Sequence, residues 1–97
     1  MAKSLRLDKF LWFARIVKTR ALAQTLAEDG RIRLSGRTVD RSHAPGEVGD
    51  VLRFAVHGKV RVVRIDAIPH RRGPPAEARM LYTELPDAPL TSQAGAD

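Results

Sequence analysis

Nine cationic side chains fall within the 36 residues from Arg6 to Arg41: Arg6, Lys9, Arg15, Lys18, Arg20, Arg31, Arg33, Arg37 and Arg41. A guanidinium forks onto two oxygens at once, so an array of them on rigid elements can track a phosphate backbone. Residues 1–42 hold ten Lys and Arg against four Asp and Glu, whereas residues 43–97 hold seven of each. The whole formal excess of +6 therefore lies in the first 42 of 97 residues. A localised field of that sign selects anionic partners, nucleic acid foremost. A genomic bias toward arginine explains Arg over Lys but not the asymmetry between the halves. Arg71 and Arg72 add a second basic step in the stiff run His70-Arg71-Arg72-Gly73-Pro74-Pro75.

Other chemistries are poorly supplied. The absence of cysteine excludes a disulfide framework, a thiol nucleophile and any thiolate metal site. His43, His57 and His70 lie 14 and 13 residues apart, without a close-spaced ligand pair, and read as solvated turn residues. No glycine-rich stretch matches a phosphate loop or a dinucleotide fingerprint. Asp8 is expected to tie down an arginine or a backbone amide near a helix start, and Asp50, after Gly49, to hold a turn. The reading is of a chain with no catalytic residue, no cofactor and no metal. No apolar run approaches the ~20 residues of a membrane span, and charge follows Met1-Ala2-Lys3-Ser4-Leu5, so neither a membrane partner nor a signal peptide is expected. The expected location is cytoplasmic.

The elements that carry the cations follow from periodicity. Leu7, Phe10, Leu11 and Ala14 mark one apolar face of a helix over about residues 6–16. Thr19 offers an N-cap oxygen for a second helix over about 20–29, whose inward face is Leu22, Ala23 and Leu26 and whose stop is Gly30. Thr19 could also donate to a phosphate. From Gly30 the period becomes two: Ile32 and Leu34 alternate with Arg31 and Arg33, Ser35-Gly36 turns the chain, and Thr38-Val39 returns. Ala44-Pro45-Gly46 reads as a loop. Leu52, Phe54 and Val56 alternate next, followed by a strand through Val60, Val62, Ile65 and Ile68, in which Val62-Val63 suggests a bulge or burial on both faces. Pro75 suits the start of a short helix through Glu77, Met80 and Leu81. Residues 86–97 are expected to be disordered, leaving one α+β domain over 1–85: two helices packed on a small antiparallel sheet, then a short C-terminal helical segment. Only Phe54 places a ring in a strand, and it suits the core, which argues against a sheet that stacks bases. Trp12, between Lys9 and Arg15, is expected to pack under Met80-Leu81-Tyr82, with base stacking as the alternative.

These residues resemble the S4-type RNA-binding domain, also called the alpha-L motif. The likeness rests on Arg6-Leu7-Asp8, Thr19-Arg20 with Ala23, Gly30, Ile32 and Leu34, Ser35-Gly36, and Gly49-Asp50 before Val51, and covers about residues 5–54. Ser35 stands where Asn is common. More narrowly, Arg6 through Trp12 with Lys18 through Ala23, and Arg71-Arg72-Gly73-Pro74-Pro75-Ala76-Glu77-Ala78 with Leu81-Tyr82, look like the small bacterial ribosome-associated heat-shock protein family. That resemblance implies binding to the large ribosomal subunit, notably one retaining peptidyl-tRNA after stalled translation, and a non-catalytic role in its recycling or rescue under stress. The family's longer basic helical tail has no likeness in residues 86–97, which contain no Lys or Arg.

The expected contact set for structured rRNA, and for tRNA within reach of it, is Arg6, Lys9, Arg15, Lys18, Thr19, Arg20, Arg31 and Arg37, with Arg33, Arg41, Arg71 and Arg72 as a second tier. The free chain is expected to be a monomer. Three alternatives stay open. The two helices could form a DNA-binding helix-turn-helix, reading bases with Arg20, Gln24 and Glu28. The chain could be an RNA-binding accessory to a separate enzyme, or a protein-interaction adaptor on the ribosome.

Overall fold

The computed structural model describes residues 3–86 other than His57. Strand β1 (Ser4–Arg6) runs straight into helix α1 (Leu7–Phe13), and helix α2 is Arg20–Glu28. Leu7, Phe10 and Leu11 are fully buried, as their spacing requires. The first helix is nevertheless shorter than its periodicity. Arg15 adopts a left-handed conformation at φ 58°, its amide bonds the Trp12 carbonyl at 3.1 Å, and the Ile16 amide bonds the Leu11 carbonyl at 3.0 Å. This is a Schellman stop built on a residue other than glycine. Ile16 and Val17 remain buried, but in the link between helices. Helix α2 begins at the expected cap, where the Leu22 amide donates to Thr19 Oγ1 at 3.1 Å. It ends in a second Schellman stop with Gly30 at φ 71°, where Gly30 and Arg31 amides bond the Ala27 and Leu26 carbonyls.

Five antiparallel strands form the main sheet in the order β3-β2-β5-β6-β7. They are β2 (Ile32–Leu34), β3 (Arg37–Val39), β5 (Val51–Val56), β6 (Lys59–Ile65) and β7 (Tyr82–Leu85), with β4 (Pro45–Glu47) outside it. Ser35 at φ 48° and Gly36 at φ 88° make the two-residue turn between β2 and β3, whose positive φ values match the twist of a tight hairpin. One sheet face carries Ile32, Leu34, Leu52, Phe54, Val63 and Ile65 into a core shared with Leu7, Phe10, Leu11, Ala23, Leu26 and Ala27 of the helices. The pairing of β5 with β6 is continuous from Val51↔Arg64 to Val56↔Lys59, so Val62-Val63 forms no bulge; Val63 is buried and Val62 half-buried on the opposite face.

Three expectations are corrected. Pro45-Gly46-Glu47 is a strand and not a loop: it pairs with Ser4–Arg6 in a two-stranded ribbon. Proline is tolerated there because the ribbon has free edges. Gly46 is required by packing, since a Cβ on it would lie 2.7 Å from Leu7 Cδ2 and 3.0 Å from Ile65 Cδ1. Second, β6 ends at Ile65, so Ile68 lies beyond the strand. Third, the C-terminal segment is helical only over α3 (Pro75–Ala78) and a 3-10 turn (Arg79–Leu81); it then continues as β7, which pairs with β6. Leu81 enters the core, its carbonyl accepting from the Asp66 and Ala67 amides, while Met80 is 78% exposed. The expectation for residues 87–97 lies outside the described residues. Among those described, no helix is long and apolar enough to cross a membrane.

Candidate nucleic-acid interface

The helix junction is organised around a buried acid. Asp8, in the first turn of α1, has no exposed surface, yet it is charged and sits among arginines. Its Oδ1 accepts from Arg6 Nε at 3.0 Å and from the Lys9 amide at 2.8 Å. Its Oδ2 accepts from Arg6 Nη2 at 2.9 Å and from Gln24 Nε2 at 3.4 Å. Arg20 approaches from the start of α2, with Nε 3.7 Å from the same Oδ2. Burial pushes the Asp8 carboxyl up, but the Arg6 fork, the Lys9 amide and Gln24 outweigh it and hold its pKa below the usual aspartate value. The expected structural role of Asp8 is what the geometry shows. Arg6 and Arg20 each keep 39% of their side-chain surface exposed. Beside them, Lys9 is half-buried and Lys18 and Thr19 are exposed.

The far end of α1 is clasped to the segment before α3. Arg15 Nε donates to the Gly73 carbonyl at 2.7 Å, and Arg72 Nε donates to the Trp12 carbonyl at 3.1 Å. The Arg72 guanidinium lies 5.5 Å from the centroid of the Trp12 ring, close enough for a cation–π contact. Trp12 is thus half-buried against the core, to which Leu81 and Tyr82 also belong, with an arginine over its ring and Phe13 5.6 Å away; Met80, the third member of its expected cover, is exposed. Arg71 turns away to Glu77 at 2.8 Å.

The hairpin cations divide between two faces. Arg37 is the register partner of Leu34, so it shares the helix-packed side of the sheet, at its β3 edge. It lines an open groove of about 410 Å³ together with Asp40, Arg41 and His43. Arg31 lies at the junction of α2 and β2, 4.0 Å from Asp29, and Arg41 lies 3.8 Å from Asp40; both pairs are exposed and weakly held. Arg33 departs from the set. It stands between buried Ile32 and Leu34, so it projects from the outer face, directly across from Arg53. Arg53 stands outside the sequence candidates, and Gln24 enters there only as a base reader of the helix-turn-helix alternative. Nothing in the sequence marks Gln24 as a partner of Asp8, whereas the strand alternation of Arg53 with Leu52 and Phe54 mirrors that of Arg33.

The arrangement offers anion binding from fixed guanidinium groups. It suits base reading by α2 poorly, because Arg20 and Gln24, two of the three side chains a helix-turn-helix would use, are turned toward Asp8. Asp50 holds its turn as expected, accepting from the Glu47 amide at 2.8 Å and from Ser35 Oγ at 2.9 Å. Among the described residues, no group of three His, Asp or Glu side chains is placed to hold a metal ion.

The chain has relatives among known proteins. The S4 domain family model matches residues 5–52, the stretch from β1 into β5. Heat shock protein 15 of Escherichia coli K12 is 37% identical over 87 residues, which cover 90% of this chain and 65% of that protein. This chain therefore spans just under two thirds of that relative's length. The RQC P-site tRNA stabilizing factor of Bacillus subtilis is 33% identical over 86 residues, covering 89% of this chain and 98% of that protein. Among solved structures, the trimeric heat shock protein 15 of Vibrio cholerae superposes with a TM-score of 0.78 at 32% identity, over 84% of this chain and 82% of that one. In sequence and in fold alike, the chain belongs to the S4 domain family.

Proposed function

We propose that this chain is a non-catalytic RNA-binding protein that docks its helix-side basic face on rRNA of the large ribosomal subunit, acting in recycling or rescue of stalled subunits that carry peptidyl-tRNA under stress. The observation that carries the reading is the convergence of Arg6 and Arg20 on buried Asp8, with Lys9 and Lys18 beside them. Charges fixed in this way bind phosphate without paying to order long side chains. The relatives support the context: one is named for stabilising a P-site tRNA and others for heat shock. Arg15, Arg31, Arg37 and the Thr19 hydroxyl extend the contact set, with Arg41, Arg71 and Arg72 at its margin.

The test is co-sedimentation of the protein with small subunits, large subunits, whole ribosomes and large subunits carrying peptidyl-tRNA, at two salt concentrations. Selective recovery with the peptidyl-tRNA complex, lost in Lys9→Glu/Lys18→Glu, is the expected result. Recovery with none of the four particles refutes the ribosomal reading.

A further inference from the structure

Asp8 is the only charged side chain, among the described residues, with no exposed surface. A carboxylate offers about four lone-pair directions. Here all four are taken: two by the Arg6 fork, one by the Lys9 amide and one by Gln24. Arg20 therefore arrives at a saturated acceptor. Its Nε is buried and has no hydrogen-bond partner, although it stands 3.7 Å from Oδ2. The acid holds Arg20 by charge and not by a hydrogen bond; the Arg20 Nε is sealed from solvent, so the donors it can offer a ligand are those of its two terminal nitrogens, on a side chain that stays 39% exposed. Arg6 spends only its Nε and Nη2 edge on Asp8, so Nη1 is free of it.

From this geometry we infer that Asp8 is a positioning residue, which makes Arg6 and Arg20 a single site for one backbone phosphate of the bound RNA. The inference rests on the RNA-binding reading above and deepens it. Without the acid, two guanidinium groups this close would repel each other and move apart; with it, they are held side by side at one net positive charge. That charge and the uncommitted donors fit a phosphodiester, which carries one negative charge and two acceptor oxygens. A carboxylate buried for packing alone would have no need to draw a second, unbonded arginine from another helix.

The inference makes a prediction whose sign is opposite to simple electrostatics. Removing an acid from a basic face should tighten RNA binding if only total charge mattered. If Asp8 positions the pair, Asp8→Asn weakens binding about tenfold and flattens the slope of log K against log salt by about 1. Binding to large subunits carrying peptidyl-tRNA is measured by fluorescence anisotropy of labelled protein, at a temperature where circular dichroism shows each variant folded. The same Asp8→Asn change in an Arg6→Gln/Arg20→Gln background is expected to have less than about a twofold effect, because no pair remains to be positioned. A purely structural role would cost the same in both backgrounds. Should Asp8→Asn not fold, Arg6→Lys carries the test: it keeps the charge, breaks the fork to Asp8, and is expected to lower affinity several-fold. The inference is overturned if Asp8→Asn binds as tightly as the wild type or tighter, if its effect is equal in both backgrounds, or if the Arg6→Lys substitution used in its place leaves affinity unchanged. Failure of the wild-type protein to bind would instead refute the underlying RNA-binding reading.

Discussion

Neutralising Arg33 and neutralising Lys18 remove the same formal charge, yet the fold assigns them different consequences. Lys18 is exposed at the start of α2, next to Thr19 and Arg20, whereas Arg33 projects from the opposite side of the sheet. Layers in a packed domain are separated by about 10 Å, and the Debye length at physiological salt is about 8 Å, so a charge on the outer face is largely screened from RNA on the helix side. Each phosphate neutralised contributes roughly 0.7–0.9 to the slope of log K against log salt. The seven cations Arg6, Lys9, Arg15, Lys18, Arg20, Arg31 and Arg37 should together give a slope of roughly −5 to −6. Lys18→Gln should reduce its magnitude by about 0.8 and Arg33→Gln by less than about 0.3. The assay is titration of labelled protein with large ribosomal subunits at four or five salt concentrations between about 50 and 300 mM, the range in which counterion release dominates. Equal slopes for the two variants would refute the assignment of faces, and a flat salt dependence for the wild-type protein would refute the basic-face model as a whole.

Three further outcomes follow from the packing and the charges. Arg15 occupies a left-handed position that favours glycine, so Arg15→Gly should be about 1 kcal/mol more stable than Arg15→Ala, or roughly 4–8 °C in melting temperature, although both lose the bond to Gly73; equal stability would mean the position is unstrained. Gly46→Ala should cost about 1–3 kcal/mol in urea denaturation, because the added methyl meets Leu7 and Ile65 at 2.7 and 3.0 Å; a neutral effect would contradict the close approach of the β1–β4 ribbon to the core. Asp8 is held below its unfolded pKa, so its contribution is fully present above the usual aspartate range and is lost as pH falls through the lower, folded value. The wild-type protein should therefore lose more stability between pH 7 and pH 3 than Asp8→Asn, as read from denaturation midpoints, and parallel losses would contradict it.

Local chemistry made much of the fold legible before any coordinates. The apolar spacing of α1, the Thr19 cap, the Gly30 stop and the Ser35-Gly36 turn are short-range signals, and each appears where its chemistry requires. What escaped depended on distant partners. Helix α1 ends before its apolar pattern does, because its left-handed residue is an arginine, which carries no stop signal, and because Ile16 and Val17 keep the pattern going inside a buried link. Pro45-Gly46 looks like a breaker until β1, some forty residues earlier, supplies its partner. Tyr82–Leu85 is too short to declare itself as a strand without β6 beside it. The cations were all visible, and the alternation of Ile32, Arg33 and Leu34 already set Arg33 on the other face. The Arg72–Trp12 contact spans 60 residues and leaves no trace in either segment alone.

The β1–β4 ribbon bears on how this unit comes into being. Leu5 pairs with Gly46, and the Leu7 amide bonds the Ala44 carbonyl at 2.9 Å, so both helices and the first hairpin lie inside one closed loop of the chain. Closing a loop of about forty residues costs on the order of 3 kcal/mol in its length-dependent part, which is recovered only when the ribbon and the Gly46 contacts form together. During synthesis, β1 has no partner until residue 47 has emerged. The helical hairpin can nucleate before then, but its first strand cannot be fastened, so late closure of the ribbon should set the pace of folding for the half of the chain that carries the excess positive charge.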